Sequence, residues 1–124
     1  MIIRGNINSQ GELFFEMGLI ASDKSVMFTH AILDTGFTDW IAMNIQDVES
    51  LGWAFIKTQK KYTANGIIEF NLYAGTVFFD EQEFAIEVIG GNEFTHVLMG
   101  LQWLKHRRLI VDRKMDRLTL ENVN

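Results

Sequence analysis

Leu13, Phe15, Met17 and Leu19 fall on alternate positions early in the chain. A period of two places these side chains on one face of an extended backbone, so residues 12–19 predict a strand with one buried face. Ser22-Asp23-Lys24-Ser25 reads as a turn, and the apolar-rich stretch 27–33 comes next as a second, buried strand that ends at Asp34. The first pairing is therefore a hairpin. Residues 45–51 then predict a short helix. Asn44 can cap its first free amides, Asp47 and Glu49 suit its positive end, and Gly52 suits a left-handed exit. Two extended runs, 57–63 and 67–79, flank Ala64-Asn65-Gly66, where Asn-Gly favours a type I′ hairpin turn. Asp80-Glu81-Gln82-Glu83 and Gly90-Gly91-Asn92 mark turns around a strand at 84–89. After Gly100, the residues Leu101, Leu104 and Trp103 share one side of a short helix ending near His106, and Leu118-Thr119-Leu120 closes the chain as a strand. The pattern predicts an all-β fold with two short helices.

Composition narrows the function classes. The 124 residues suit one domain, 1–124, able to bury somewhat over about 60% of the surface its unfolded chain exposes. Cys is absent, which excludes disulfides, a thiolate nucleophile and a cysteine-held metal; Pro is absent too, leaving Gly, Asn and Asp to punctuate the turns. Met1-Ile2-Ile3-Arg4-Gly5-Asn6 has no apolar leader core, and no run approaches the ~20 apolar residues of a membrane span, so the expectation is a cytoplasmic protein with no membrane partner.

The net charge of −5 is unevenly spread: residues 1–100 carry 5 basic and 13 acidic side chains, residues 101–124 carry 6 and 3. Lys105, Arg107, Arg108, Arg113, Lys114 and Arg117 form the basic excess. No aromatic residue follows Trp103 to stack on bases, so this run reads as a solvated face and no nucleic-acid partner is expected. His30, His96 and His106 lack metal-ligand spacing; no metal and no cofactor are predicted. Trp40, Trp53 and Trp103 read as core or interface anchors.

The candidate chemistry lies at Asp34-Thr35-Gly36, a carboxyl delivered on a tight turn straight out of a strand. Taken alone, the triplet fits an ordinary Asx-type turn after a strand better than a catalytic loop. Its neighbours along the chain add weight. Phe37-Thr38-Asp39-Trp40 is a polar and aromatic turn, Ile41-Ala42-Met43 a short apolar segment, and Val97-Leu98-Met99-Gly100-Leu101-Gln102-Trp103-Leu104 comes later, before Leu109-Ile110-Val111-Asp112. In this order the pieces resemble the retropepsin-like aspartic proteases, over about residues 12–121.

The resemblance implies a closed retropepsin-like acid-protease barrel, built as a single-lobe homodimer that acts as an endopeptidase on peptide or protein substrates. It implies Asp34 as the catalytic acid. One triplet in so short a chain means that the second carboxyl comes from a second copy. Thr35 would grip the partner loop across the axis, and Gly36 would keep the backbone open to substrate. Phe37, Thr38, Asp39 and Leu98 would line the cleft, and Ala64, Asn65 and Gly66 would form a flap closing over the peptide. Val97 to Gly100 would pack beneath the catalytic loop. Met1-Ile2-Ile3 and Leu118-Thr119-Leu120 would supply terminal strands that interleave between subunits. Asp112 reads as a turn or structural acid, not as the second carboxyl. Two positions depart from the family pattern: Phe37 stands where a small residue is usual, and Thr38 where retroviral members carry an acid. A phenyl ring beside the dyad either lines a specificity pocket or obstructs the cleft, and the second case makes the chain a non-proteolytic dimeric module that binds a peptide or a protein.

Overall fold

The computed structural model describes residues 2–123. In chain order its elements are β1 (Ile2–Arg4), β2 (Asn6–Ile7), β3 (Leu13–Ile20), β4 (Val26–Leu33), β5 (Ile41–Asn44), α1 (Ile45–Ser50), β6 (Ala54–Thr63), β7 (Gly66–Phe79), β8 (Gln82–Gly91), β9 (Leu98–Met99), a 3₁₀ turn (Leu101–Leu104), β10 (Arg107–Asp112) and β11 (Arg117–Asn122). Met1, expected in a terminal strand, lies outside the described residues.

Six strands close a barrel. β3 pairs with β4, β4 with β9, β9 with β5, β5 with β8 and β8 with β7, and β7 returns to β3 through Gly18↔Phe78, Leu19↔Val77 and Ile20↔Thr76. β2 and β6 extend the sheet outside this ring, and β1, β11 and β10 form a separate three-stranded sheet.

Alternation along the strands sorts the side chains into two clusters. Phe15, Met17, Leu19, Ile41, Met43, Val88 and Met99 point into the main core, where Trp103 is also wholly enclosed. The intervening residues face the other way. Leu72, Ile89, Ala42 and Leu98 are register partners across β7, β8, β5 and β9, so they form one continuous apolar row on the opposite face of the wall. Burial of such side chains stabilises by roughly 1.5–3 kcal/mol each. The same wall thus serves as barrel core on one side and as the floor of a groove on the other.

β7 runs unbroken for 14 residues. From Asn71 onward it is flanked by β8, whereas Gly66 to Phe70 pair with β6 alone, which makes the β6–β7 hairpin a two-stranded arm reaching beyond the barrel.

The hairpin at residues 12–33 and the capped helix form as the sequence predicts. The Asn44 side chain accepts from the Gln46 amide, and Gly52 follows with φ +74°. Several expectations are corrected. β4 is buried only at Ala31, Ile32 and Leu33; Val26, Met27 and Phe28 are exposed, because β9 covers its far edge only beside Ile32 and Leu33. The turn at Ala64-Asn65 is not type I′. Only Gly66 has a positive φ (98°), and it pairs with Thr63, so a single left-handed residue after the turn suffices. The two successive positive φ values that type I′ demands occur instead at Asp80 (55°) and Glu81 (59°), joining β7 to β8. Gly90 and Gly91 belong to β8 and pair with Met43 and Asn44. The segment after Gly100 is a 3₁₀ turn whose buried residue is Trp103, while Leu101 is exposed. Residues 107–112, unassigned from sequence, form β10 against β11. Asp112 is the expected turn acid, its Oδ1 accepting from the Met115 amide at 3.1 Å.

Candidate active site

Asp34 leaves β4 with its position fixed by the neighbouring strand. Leu33 pairs with Met99, and the Asp34 amide carries the ladder one step further by donating to the Met99 carbonyl at 2.9 Å. The chain then turns at once. Asp34 Oδ1 accepts from the Gly36 amide at 2.9 Å, and the Phe37 amide donates to the Asp34 carbonyl at 3.1 Å. This is the Asx-type turn, and it leaves Asp34, Thr35 and Gly36 exposed.

The rest of the loop is stitched to the segment around Gly100. The Gly100 amide donates to the Trp40 carbonyl at 2.9 Å, the Leu101 amide to the Phe37 carbonyl at 2.8 Å, and Trp103 Nε1 to the Trp40 carbonyl at 2.9 Å. Gly100 packs so closely that a Cβ there would overlap the Asp39 carbonyl oxygen and lie 2.9 Å from Phe37 Cδ2. Beneath it the Trp103 ring stands edge-on to Trp40, Phe79 and Phe84, with centroids 5.0, 5.1 and 5.2 Å away. A rigid aromatic floor therefore sets the height of the loop that carries the carboxyl.

Above the loop a cleft of about 590 Å³ opens beneath the β6–β7 arm. Asp34, Gly36, Phe37 and Thr38 line it from below, Lys61, Tyr62 and Thr63 from the arm, and Phe70, Ile89, Phe94 and Leu98 from the wall. Phe37 is half-buried and packs against the row of Leu72, Ile89, Ala42 and Phe70, so its ring is part of the wall of an open cleft. Phe70 and Phe94 stack at 5.7 Å with an interplanar angle of 23°. Asp39 does not line this cleft; its Oδ2 pairs with Lys61 Nζ at 2.7 Å, tying the arm to the loop, and it borders a neighbouring polar cavity with Lys57, Gln59, Glu87 and Gln102. The pair is partly exposed, and such pairs contribute at most about 1 kcal/mol. Ala64, Asn65 and Gly66 lie at the exposed tip of the arm and do not line the cleft.

Of the predicted site residues, Asp34, Gly36, Phe37, Thr38 and Leu98 meet at one cleft, with Thr35 on the same loop. Sequence reasoning missed Lys61, Tyr62, Thr63, Phe70, Ile89 and Phe94. The signal available for the wall was apolar residues on both parities, as in Val88-Ile89 and Leu72-Tyr73, which marks strands buried on both faces.

Among the described residues Asp34 is the one acid lining the cleft, and no cluster of three or more His, Asp or Glu side chains suits a metal ion. A lone carboxyl can accept a proton or donate one, but acid and base are needed at the same moment to activate water and protonate a leaving amine. No described helix is long and apolar enough to cross a membrane.

No protein-family model and no curated protein matches the chain. Solved structures do. A retropepsin-like aspartic protease from Rickettsia conorii superposes with a TM-score of 0.65 at 22% identity, over 98% of this chain and 90% of that one. The protease of Simian Foamy Virus (mac) superposes with a TM-score of 0.54 at 16% identity, over 73% of this chain and 90% of that one. The fold is the all-β, retropepsin-like barrel.

Proposed function

We propose that the chain is an aspartic endopeptidase whose catalytic dyad forms when two copies bring their Asp34 side chains together. The observation that carries this reading is one exposed carboxyl, held by backbone hydrogen bonds at the floor of an apolar cleft, beneath a hairpin arm, in a barrel shared with aspartic proteases. In the assembled site one carboxylate takes a proton from water while the second, protonated, hydrogen-bonds the scissile carbonyl and then supplies the proton that the leaving amine needs. Two carboxyls so close cannot both ionise, so they share a proton, as is established for aspartic-protease dyads. A two-fold axis supplies the geometry without further instruction, since it brings identical residues face to face.

Each neighbour then has a role. The Thr35 hydroxyl both donates and accepts, which suits a cross-axis bond to the partner loop. Ala64, Asn65 and Gly66 travel with the arm and cover the bound peptide, excluding water. Phe37, Phe70, Ile89, Phe94 and Leu98 receive an apolar side chain beside the scissile bond. The reading is tested by turnover of an unstructured peptide library and its block by a statine-type peptide. Inhibition by a chelator instead would point to different chemistry.

Phe37→Ala tests the wall. Loss of its ring should lower kcat/KM for the best peptide by about 10–200-fold, equivalent to about 1–3 kcal/mol, and broaden selectivity. A silent native protein that gains hydrolysis on this truncation would instead make the chain a peptide-binding module with a covered dyad.

A further inference from the structure

The outward-facing row of β7 serves the cleft at one end and a second apolar surface at the other. Phe70 and Leu72 belong to the cleft wall, and strand alternation puts Phe78 on the same face. At about 3.3 Å per residue, Phe78 lies about 26 Å along the strand from Phe70.

Gly18 of β3 sits in register between Phe28 of β4 and Phe78 of β7. A Cβ on Gly18 would lie 3.1 Å from Val26 Cγ1, 3.2 Å from Phe78 Cβ and 3.4 Å from Phe28 Cε1, so these three side chains close over the glycine. Cover of a strand glycine accounts for their proximity. It does not account for their exposure, since Phe28 remains 61% exposed and Ile2 of β1, beside the same hollow, 51%. Apolar residues scattered singly on a surface are ordinary, but a contiguous group marks an interaction site.

The hollow has a volume of about 300 Å³, with Ile2, Gly18, Phe28 and Phe78 as its apolar lining. This is the lower end of the range for ligand pockets, a size that suits the side chains of a short segment. Its acids are of two kinds. Asp80 has its charge answered within the chain: its Oδ2 accepts from Asn122 Nδ2 at 3.0 Å and lies 3.7 Å from the Arg107 guanidinium. Glu16 and Glu81, which also line the hollow, and Glu83, the register partner of Phe78, are exposed and enter no ion pair among the described residues. Arg4 is the one opposing charge in the lining.

Glu81 also holds an unusual backbone. Its φ is +59°, directly after Asp80 at +55°. Glycine would suit such a position better, yet the chain sets a carboxylate there, at the rim of the hollow.

We propose that this hollow is a docking site, separate from the cleft, for a segment of a partner protein in which an apolar side chain is flanked by Lys or Arg. The apolar side chain enters between Phe28, Phe78 and Ile2, and the basic flanks meet Glu16, Glu81 and Glu83. A symmetric contact with a second copy would set the same three acids against one another, and an anionic lipid surface is repelled by them as well. The distance along β7 allows the hollow and the cleft to be filled together, so the docked partner does not displace a peptide.

The probe is a synthetic peptide with Leu-Phe between two pairs of arginines, titrated into the isotope-labelled native chain at low ionic strength and followed by amide NMR shifts. Two control peptides carry Ser-Ser in place of Leu-Phe, or glutamates in place of the arginines. The amides of Gly18, Phe28, Phe78 and Glu81 are expected to shift while those of Gly36 and Phe70 stay in place, and both controls should bind about tenfold more weakly or less. Equal binding by the serine peptide would reduce the effect to diffuse charge attraction and overturn the proposal. Shifts confined to the cleft, or no shifts at millimolar peptide, would do the same. So would concentration-dependent shifts of the four amides without peptide, which would make a second copy the occupant.

Glu81→Gly separates docking from folding. Glycine relaxes the left-handed turn, so the variant should melt no lower than the native chain while binding the probe about threefold more weakly, the scale of one exposed charge pair. Phe28→Ser should weaken binding by about tenfold or more. Native affinity in both variants would overturn the proposal. Neither residue touches the cleft, so turnover of the peptide library should be unchanged in both.

Discussion

Asp34→Asn should lower peptide turnover by ~10⁴-fold or more while leaving the fold in place. Both copies in a dimer carry the substitution, so general acid and general base are lost together, and each contributes about 10²–10⁴-fold. The structural job of the side chain survives. An amide oxygen accepts from the Gly36 amide as a carboxylate oxygen does, so the turn that places Phe37 and Thr38 persists. Stability should change by no more than about 0.5 kcal/mol, the range of exposed substitutions away from special contacts. Steady-state cleavage of the peptide library, read beside thermal melting of both proteins, checks the two halves of this expectation. A variant that melts like the native protein and still cleaves would remove Asp34 from the chemistry.

Gly100→Ala is the second large effect expected, and it acts through geometry alone. The added methyl would meet the Asp39 carbonyl oxygen, which is backbone and cannot rotate aside, and the Phe37 ring 2.9 Å away. Relief requires the loop of residues 34–40 to shift, and with it the bonds from Gly100 to Trp40 and from Leu101 to Phe37. Overpacking of this kind costs about 3 kcal/mol, a fall of roughly 10 °C in Tm for a chain of this size. Displacing a catalytic group by about 1 Å can lower the rate by ~10²-fold, so turnover should fall even at temperatures where the variant remains folded. Native melting together with native turnover would show that the loop does not rest on Gly100.

Local signals in the sequence are legible where one residue determines one feature. Asn44 and Gly52 mark the two ends of α1, and Asp34-Thr35-Gly36 marks the turn that leaves β4. Misreadings arise where distant segments decide. Met27 and Phe28 look like core in sequence, yet they are exposed because the strand that could cover them, β9, is only two residues long. Phe70 and Phe94 carry no shared local pattern; they meet only after β7 and the loop following β8 fold against each other. Asn65-Gly66 favours type I′, but the arm closes with Gly66 as its single left-handed residue, and Asp80-Glu81 adopts positive φ without any glycine. Residues 107–112 carry no strand reading in the sequence; they become a strand only through their pairing with β11, whose other edge is taken by β1.

The length of β7 has a consequence for motion. From Asn71 to Ala74 it is flanked by β6 and β8 together, and from Thr76 to Phe78 by β8 and β3, while Gly66 to Phe70 lie in a two-stranded ribbon, a structure only marginally stable by itself in water. Hydrogen exchange with deuterated solvent should therefore change pace in the middle of a continuous strand, fast up to Phe70 and slow from Leu72, with no loop at the boundary. Opening of the arm then amounts to local fraying of a ribbon rooted in the barrel wall, and its rate reports on the grip of β6 rather than on any hinge.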